Sequence, residues 1–143
     1  MWRPIDISEI EEVTKKGGDW IILIKSATNV LKGDNFVFVY PELLQNKIIV
    51  RKGEVITSEI IEKNNIDYKN INSKIKTLLR KTRDKIKLRG SIVNEITTRG
   101  DFINKIRSLL KITQNNKYRL DVVSLKDSKT ADQIIVELNI TKL

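Results

Sequence analysis

Eight of the seventeen residues in KIKTLLRKTRDKIKLRG, residues 74 to 90, are Lys or Arg, and the one acid is Asp84. Cations at this density neutralise polyanions. Each Lys or Arg set against a phosphate releases condensed counterions, and Arg adds a planar fork that holds two phosphate oxygens at once. On a helical wheel Lys76, Arg80, Arg83 and Lys87 fall within about 60° of one another, at spacings of four, three and four. Lys74, Lys81 and Lys85 line the opposite flank, and Arg89 closes the segment. Ile71, Ile75, Leu78, Leu79 and Ile86, with Thr82, occupy about 100° between the two flanks, which is the width of a buried stripe. The pattern is a helix that is apolar underneath and basic on both shoulders.

The pairs Lys76/Arg80, Arg83/Lys87 and Lys81/Lys85 are like charges one turn apart, each costing about 0.2–0.5 kcal/mol in an isolated helix. A merely solvated helix usually mixes its signs. The row from Lys76 to Lys87 covers about 16 Å at 1.5 Å per residue, enough to follow several phosphates. It positions a polyanion without specifying sequence, since base-edge contacts do that work.

The net charge of +9 is unevenly placed. Residues 1–67 hold 9 basic and 11 acidic side chains, residues 68–119 hold 15 and 3, and residues 120–143 hold 3 and 4. Ile, Lys and Asn make up 54 of the 143 residues, a compositional bias that accounts for many lysines but not for their position. Six of the eight arginines also cluster, as Arg80, Arg83, Arg89, Arg99, Arg107 and Arg119. A segment charged so lopsidedly repels itself, and a polyanionic partner relieves that repulsion.

The chain has no histidine and no cysteine. Ser-His-Asp and Cys-His nucleophile systems, Cys/His zinc sites and disulfides are therefore excluded. Acid–base chemistry would rest on Asp, Glu, Lys or Tyr. Asp67-Tyr-Lys69 and Asp127-Ser-Lys129 each offer an acid–x–Lys triplet for a metal-dependent nuclease, but neither follows the long buried strand such a site normally uses. Apolar runs reach only five residues, as at Trp20–Ile24, too short for a membrane span. The opening MWRPIDISEIEEV lacks the layout of a secretory signal, and the expectation is an intracellular, cytoplasmic chain.

The elements that must position the basic segment follow from local signals. Length and composition predict one α+β domain over 1–143, with a small antiparallel sheet, the long basic helix, two or three shorter helices and a C-terminal β-hairpin. Residues 1–57 read as a helix plus strands, 58–113 as a helical basic segment and 117–141 as the hairpin. Asp6 and Glu9 have capping-box spacing for a helix from Ile7 to about Lys16, ended by Gly17-Gly18. Trp20 onward is a buried strand, and FVFVY, residues 36–40, is another that Pro41 stops. NKIIVRKGEVIT predicts two short strands around Lys52-Gly53. Ser58 caps a short helix over SEIIEKNN, and the long helix runs to Gly90, with a further turn or two after Ser91. Asp101 caps a last helix from Phe102 to about Thr113. Two strands then flank KDSK, with Ile134, Val136, Leu138 and Ile140 alternating toward the core.

Two short stretches carry resemblances. Residues 56–75 resemble a helix-turn-helix, with Ile60, Ile66, Ile71 and Ile75 at packing positions and Asn72 after Ile71. The stretch departs from that family at Ile61, usually Ala, at Asn64, usually apolar, and at Asn65, usually Gly. Two ordinary consecutive helices fit the same residues. KGDNFVFVYP puts Phe36, Phe38 and Tyr40 on one strand face. It resembles the RNA-recognition strand motif, which implies base stacking, although Asp34 and Val39 stand where aromatics belong. An aromatic stripe on a strand is more often core.

The sequence thus points to a nucleic-acid-binding protein, of DNA or RNA, that is not an enzyme and needs no metal or cofactor. Its expected contacts are Lys74, Lys76, Arg80, Lys81, Arg83, Lys85, Lys87 and Arg89, helped by Arg99, Lys105, Arg107 and Lys111. The alternative is an assembly subunit or viral accessory protein whose basic face meets an acidic protein, with a homo-oligomer also open. A carboxylate nuclease is third.

Overall fold

The computed structural model describes residues 6–27, 31–33, 38–62, 68–111 and 117–143. The protein is mixed α+β, and contacts divide it into two compact units, Met1–Lys47 and Ile48–Leu143.

The first unit contains helix α1 (Ile7–Lys15) and strands β1 (Trp20–Ser26) and β2 (Val39–Gln45). Asp6 caps α1, its Oδ1 accepting from the Glu9 N–H at 2.9 Å. β1 and β2 pair antiparallel from Trp20↔Gln45 to Ser26↔Val39. Pro41 lies inside β2, opposite Ile24, rather than ending the strand. A two-stranded ribbon leaves one edge of β2 unpaired, and there a missing N–H costs nothing. Phe36 lies outside the described residues. Phe38 precedes β2 and is 65% exposed, while Tyr40 is half-buried within it. Among the described residues of this unit none is fully buried.

The second unit holds β3 (Ile48–Val50), β4 (Val55–Glu62), α2 (Tyr68–Leu88), β5 (Ile96–Thr98), α3 (Asp101–Lys111), β6 (Lys117–Ser124), β7 (Ser128–Lys129) and β8 (Ile134–Lys142). Four strands form one sheet in the order β4-β6-β8-β5, and β3 pairs with β7 apart from it. The sheet is mixed. β6 is antiparallel to both β4 and β8, but β5 runs parallel to β8. β4 and β5 therefore point the same way from opposite edges, and α2 and residues 89–95 connect them. The KDSK segment is more than a turn, since Ser128 and Lys129 form β7 against Val50 and Ile48.

The expected short helix at SEIIEKNN is absent from the described residues; 58–62 belong to β4. Five of the eight β4 residues are β-branched, which favours a strand. Pairing with β6 over its length, Ser58↔Asp121 to Glu62↔Lys117, overrides the capping signal. Ser58 Oγ donates to Asp121 Oδ1 at 2.6 Å instead. Arg119 Nε donates to the other oxygen of the same carboxylate at 3.2 Å, which compensates the nearly complete burial of Asp121. A strand at 55–62 also removes the first helix of the helix-turn-helix resemblance.

Ile71, Ile75, Leu78 and Ile86 of α2 join Phe102 and Leu109 of α3 in one core. Tyr118, Leu120 and Val122 of β6 and Ile134, Val136 and Leu138 of β8 complete it. Both helices therefore cover one face of the sheet, α2 packing on β4 and β6 and α3 on β8. Val136 is wholly buried, and the alternation continues to the half-buried Ile140. Val136→Asp places an uncompensated carboxylate there and is expected to cost several kcal/mol, read as a lowered midpoint in urea titration.

α2 ends in a Schellman motif. Gly90 takes φ +106°, its N–H donates to Lys87 O at 3.0 Å, and Ser91 N–H donates to Ile86 O at 3.3 Å. Residues 91–95 are not helical, so no further turn begins at Ser91. A Cβ at Gly90 would meet nothing within 4 Å, leaving the backbone conformation as the whole cost of substitution. Gly90→Ala is expected to lower stability by about 1–2 kcal/mol, and Gly90→Asn by less, in chemical denaturation.

Candidate nucleic-acid interface

The twelve candidate cations separate according to which side of their helix they occupy. The flank of α2 that carries Lys81 and Lys85 is tied to β4. Lys81 Nζ lies 3.5 Å from Glu59 Oε2, and Lys85 Nζ donates to Ile56 O at 2.7 Å. Between them the Thr57 and Thr82 hydroxyls are hydrogen-bonded, with Thr82 also donating to Leu78 O at 2.8 Å. One turn further on, Arg89 Nη1 donates to Glu54 Oε1 at 2.8 Å and to Ile49 O at 3.1 Å. Lys74 is half-buried at the other end of the same flank.

Lys76, Arg80, Arg83 and Lys87 are all exposed, and none makes an ion pair or side-chain hydrogen bond with another described residue. Because the Lys81 flank faces β4 at the sheet edge, this row lies on the opposite shoulder of the helix. The four positive charges thus stand in one line with no partner among the described residues. On α3, Lys105 lies 4.0 Å from Asp101 one turn before it. Arg107 and Lys111 are exposed one turn apart on another face of α3, and Arg99 is exposed just before it. These three make no ion pair with a described residue.

Glu54 is the electrostatic hub of the tied flank. Partial burial pushes its carboxyl upward. The Arg51 N–H at 3.1 Å, the Arg89 hydrogen bond and the charges of Arg89 and Lys85 outweigh that effect and hold it below the usual carboxylate value. A lowered folded-state pKa contributes stability above the unfolded value and loses it as pH falls through the folded one. Glu54→Gln is accordingly expected to cost roughly 0.5–1 kcal/mol at pH 7. The gap between parent and variant should close on acidification below the ordinary value of 4.5, as followed by urea midpoints across pH.

The acid–x–Lys triplets do not form a site within the described residues. Asp67 lies outside them. Asp127 Oδ1 accepts from the Lys52 N–H at 2.7 Å, holding the turn after β3. Among the described residues there is no group of three or more Asp or Glu able to hold a metal ion, and no helix long and apolar enough to cross a membrane.

The division of the cations was hidden in the sequence because the acids responsible, Glu54 and Glu59, lie 35 and 22 residues from their partners. No spacing rule connects them. Comparisons with known protein families, with curated proteins and with solved structures give no match to this chain.

Proposed function

We propose that this protein binds nucleic acid through the outward flank of α2, with Lys76, Arg80, Arg83 and Lys87 on the phosphate backbone. One observation carries the reading. On a single helix, the cations of one flank are used in holding the fold, while the four of the other stand in a row with no ion pair among the described residues. Arg99, Arg107 and Lys111 are further exposed cations that add to the positive field. Lys81, Lys85, Arg89 and Lys105 have partners within the chain and contribute less. We read the protein as a binding domain and not as a nuclease, since Asp127 is already engaged with backbone.

The test uses the two flanks as controls for each other. Replacing Arg80 and Arg83 together by Gln keeps helix propensity nearly unchanged and removes two charges. The slope of log K against log salt on duplex DNA should become shallower by about 1.8, with affinity reduced alike for all sequences. Lys81→Gln, on the tied flank, should leave the slope within about 0.5 of the parent. Feeble binding by the parent, or equal effects of the two variants, counts against the reading. Retained binding to an acidic protein would then favour the assembly alternative.

A further inference from the structure

The surroundings of α2 decide how a nucleic acid can approach it. A helix with its side chains is about 10–12 Å across, and the major groove of DNA is about 12 Å wide and 8.5 Å deep. A helix enters that groove only with both shoulders free. One shoulder of α2 is joined to β4 through Lys81–Glu59, Thr82–Thr57, Lys85–Ile56 O and, beyond its last turn, Arg89–Glu54. Helix and strand together are wider than the groove.

The crest of α2, farthest from the sheet, is also unsuited to reading bases. On the wheel it carries Ser73, Thr77, Asp84 and Leu88. Asp84 is exposed and has no ion pair with a described residue, and Leu88 is 89% exposed. A free carboxylate aimed between two walls of phosphate would be repelled. Among the described side chains of the second unit, base stacking lacks a platform as well. In the second unit the aromatic side chains that are described, Phe102 and Tyr118, are both in the core.

What remains is the straight row of cations on the outward flank, rigidly backed by the sheet. A single strand that finds no stacking partner among the described side chains of the second unit must be ordered to follow that row, which costs entropy, whereas a duplex presents its phosphates already fixed. Resting on the nucleic-acid reading above, we infer that the ligand is a duplex, contacted along the phosphate ridge of one strand from outside the groove and without regard to sequence. Duplex DNA and duplex RNA share this chemistry.

The experiment combines anisotropy and footprinting on the full chain. The probes are two duplex DNAs of unrelated sequence, about 20 bp each, a duplex RNA of the same length, and the corresponding single strands. The two DNA duplexes should bind within about twofold of each other, and single strands about tenfold more weakly. Either duplex type exceeding its own single strands supports the inference, and the tighter names the source. Hydroxyl-radical cleavage should be protected along the backbone, while methylation of guanine N7, on the major-groove floor, should be unchanged. Protection of N7, a preference above about tenfold between the two DNA duplexes, or single strands binding as tightly as duplex would overturn it. Failure of every probe to bind would instead remove the nucleic-acid reading itself.

Discussion

The rotation of α2 about its own axis is the setting on which the rest depends. Four buried residues, Ile71, Ile75, Leu78 and Ile86, press it onto the sheet, each contributing about 1.5–3 kcal/mol of apolar burial. The polar ties to β4 are weaker, about 0.2–1 kcal/mol for a surface ion pair. Burial therefore holds the helix down, while the ties select which shoulder meets the strand. A rotation of one residue would turn Thr82 out of its bond to Thr57 and move Arg89 away from Glu54. The same rotation would break the row that Lys76, Arg80, Arg83 and Lys87 now present.

The apolar stripe of α2 was legible in the sequence because helix period is a local property. Ile71, Ile75, Leu78, Thr82 and Ile86 follow one another on a single face and are all buried. The alternation of Ile134, Val136 and Leu138 was legible for the same reason. What misled was the segment around Ser58, where a good capping residue suggests a helix start. That segment is decided by a partner about sixty residues away, since β6 pairs with it from Val55↔Val123, through a register shift before Thr57, to Glu62↔Lys117. Long-range pairing also placed Pro41 inside a strand and added β7 to what reads as a plain turn. The parallel placement of β5 has no signal in its three residues, Ile96, Thr97 and Thr98.

The candidate site was half legible. Two basic flanks are visible on a wheel, and a wheel treats them as equals. Only the fold brings Glu59 and Glu54 against one of them and leaves the other facing outward. Lys81 and Arg80 are neighbours in sequence with opposite roles: one ties the helix to its strand, and the other has no partner among the described residues.

This division also explains how the fold tolerates the charge. The like pairs Lys76/Arg80 and Arg83/Lys87 cost a few tenths of a kcal/mol each, and the helix offers them only Asp84 in return. Placed on a loosely packed helix, that repulsion would favour fraying and an irregular row. Placed on the helix with four buried anchors and a Schellman stop, it is small beside the packing and cannot distort the line. The cations are thus held in register by the fold itself, so a polyanion binding there would spend little on ordering them and would remove the repulsion it finds. Whatever neutralises the row binds the folded helix and not the unfolded chain, and must raise the stability of the second unit by mass action. The charge that weakens the free helix would then be the charge that couples its folding to whatever neutralises it.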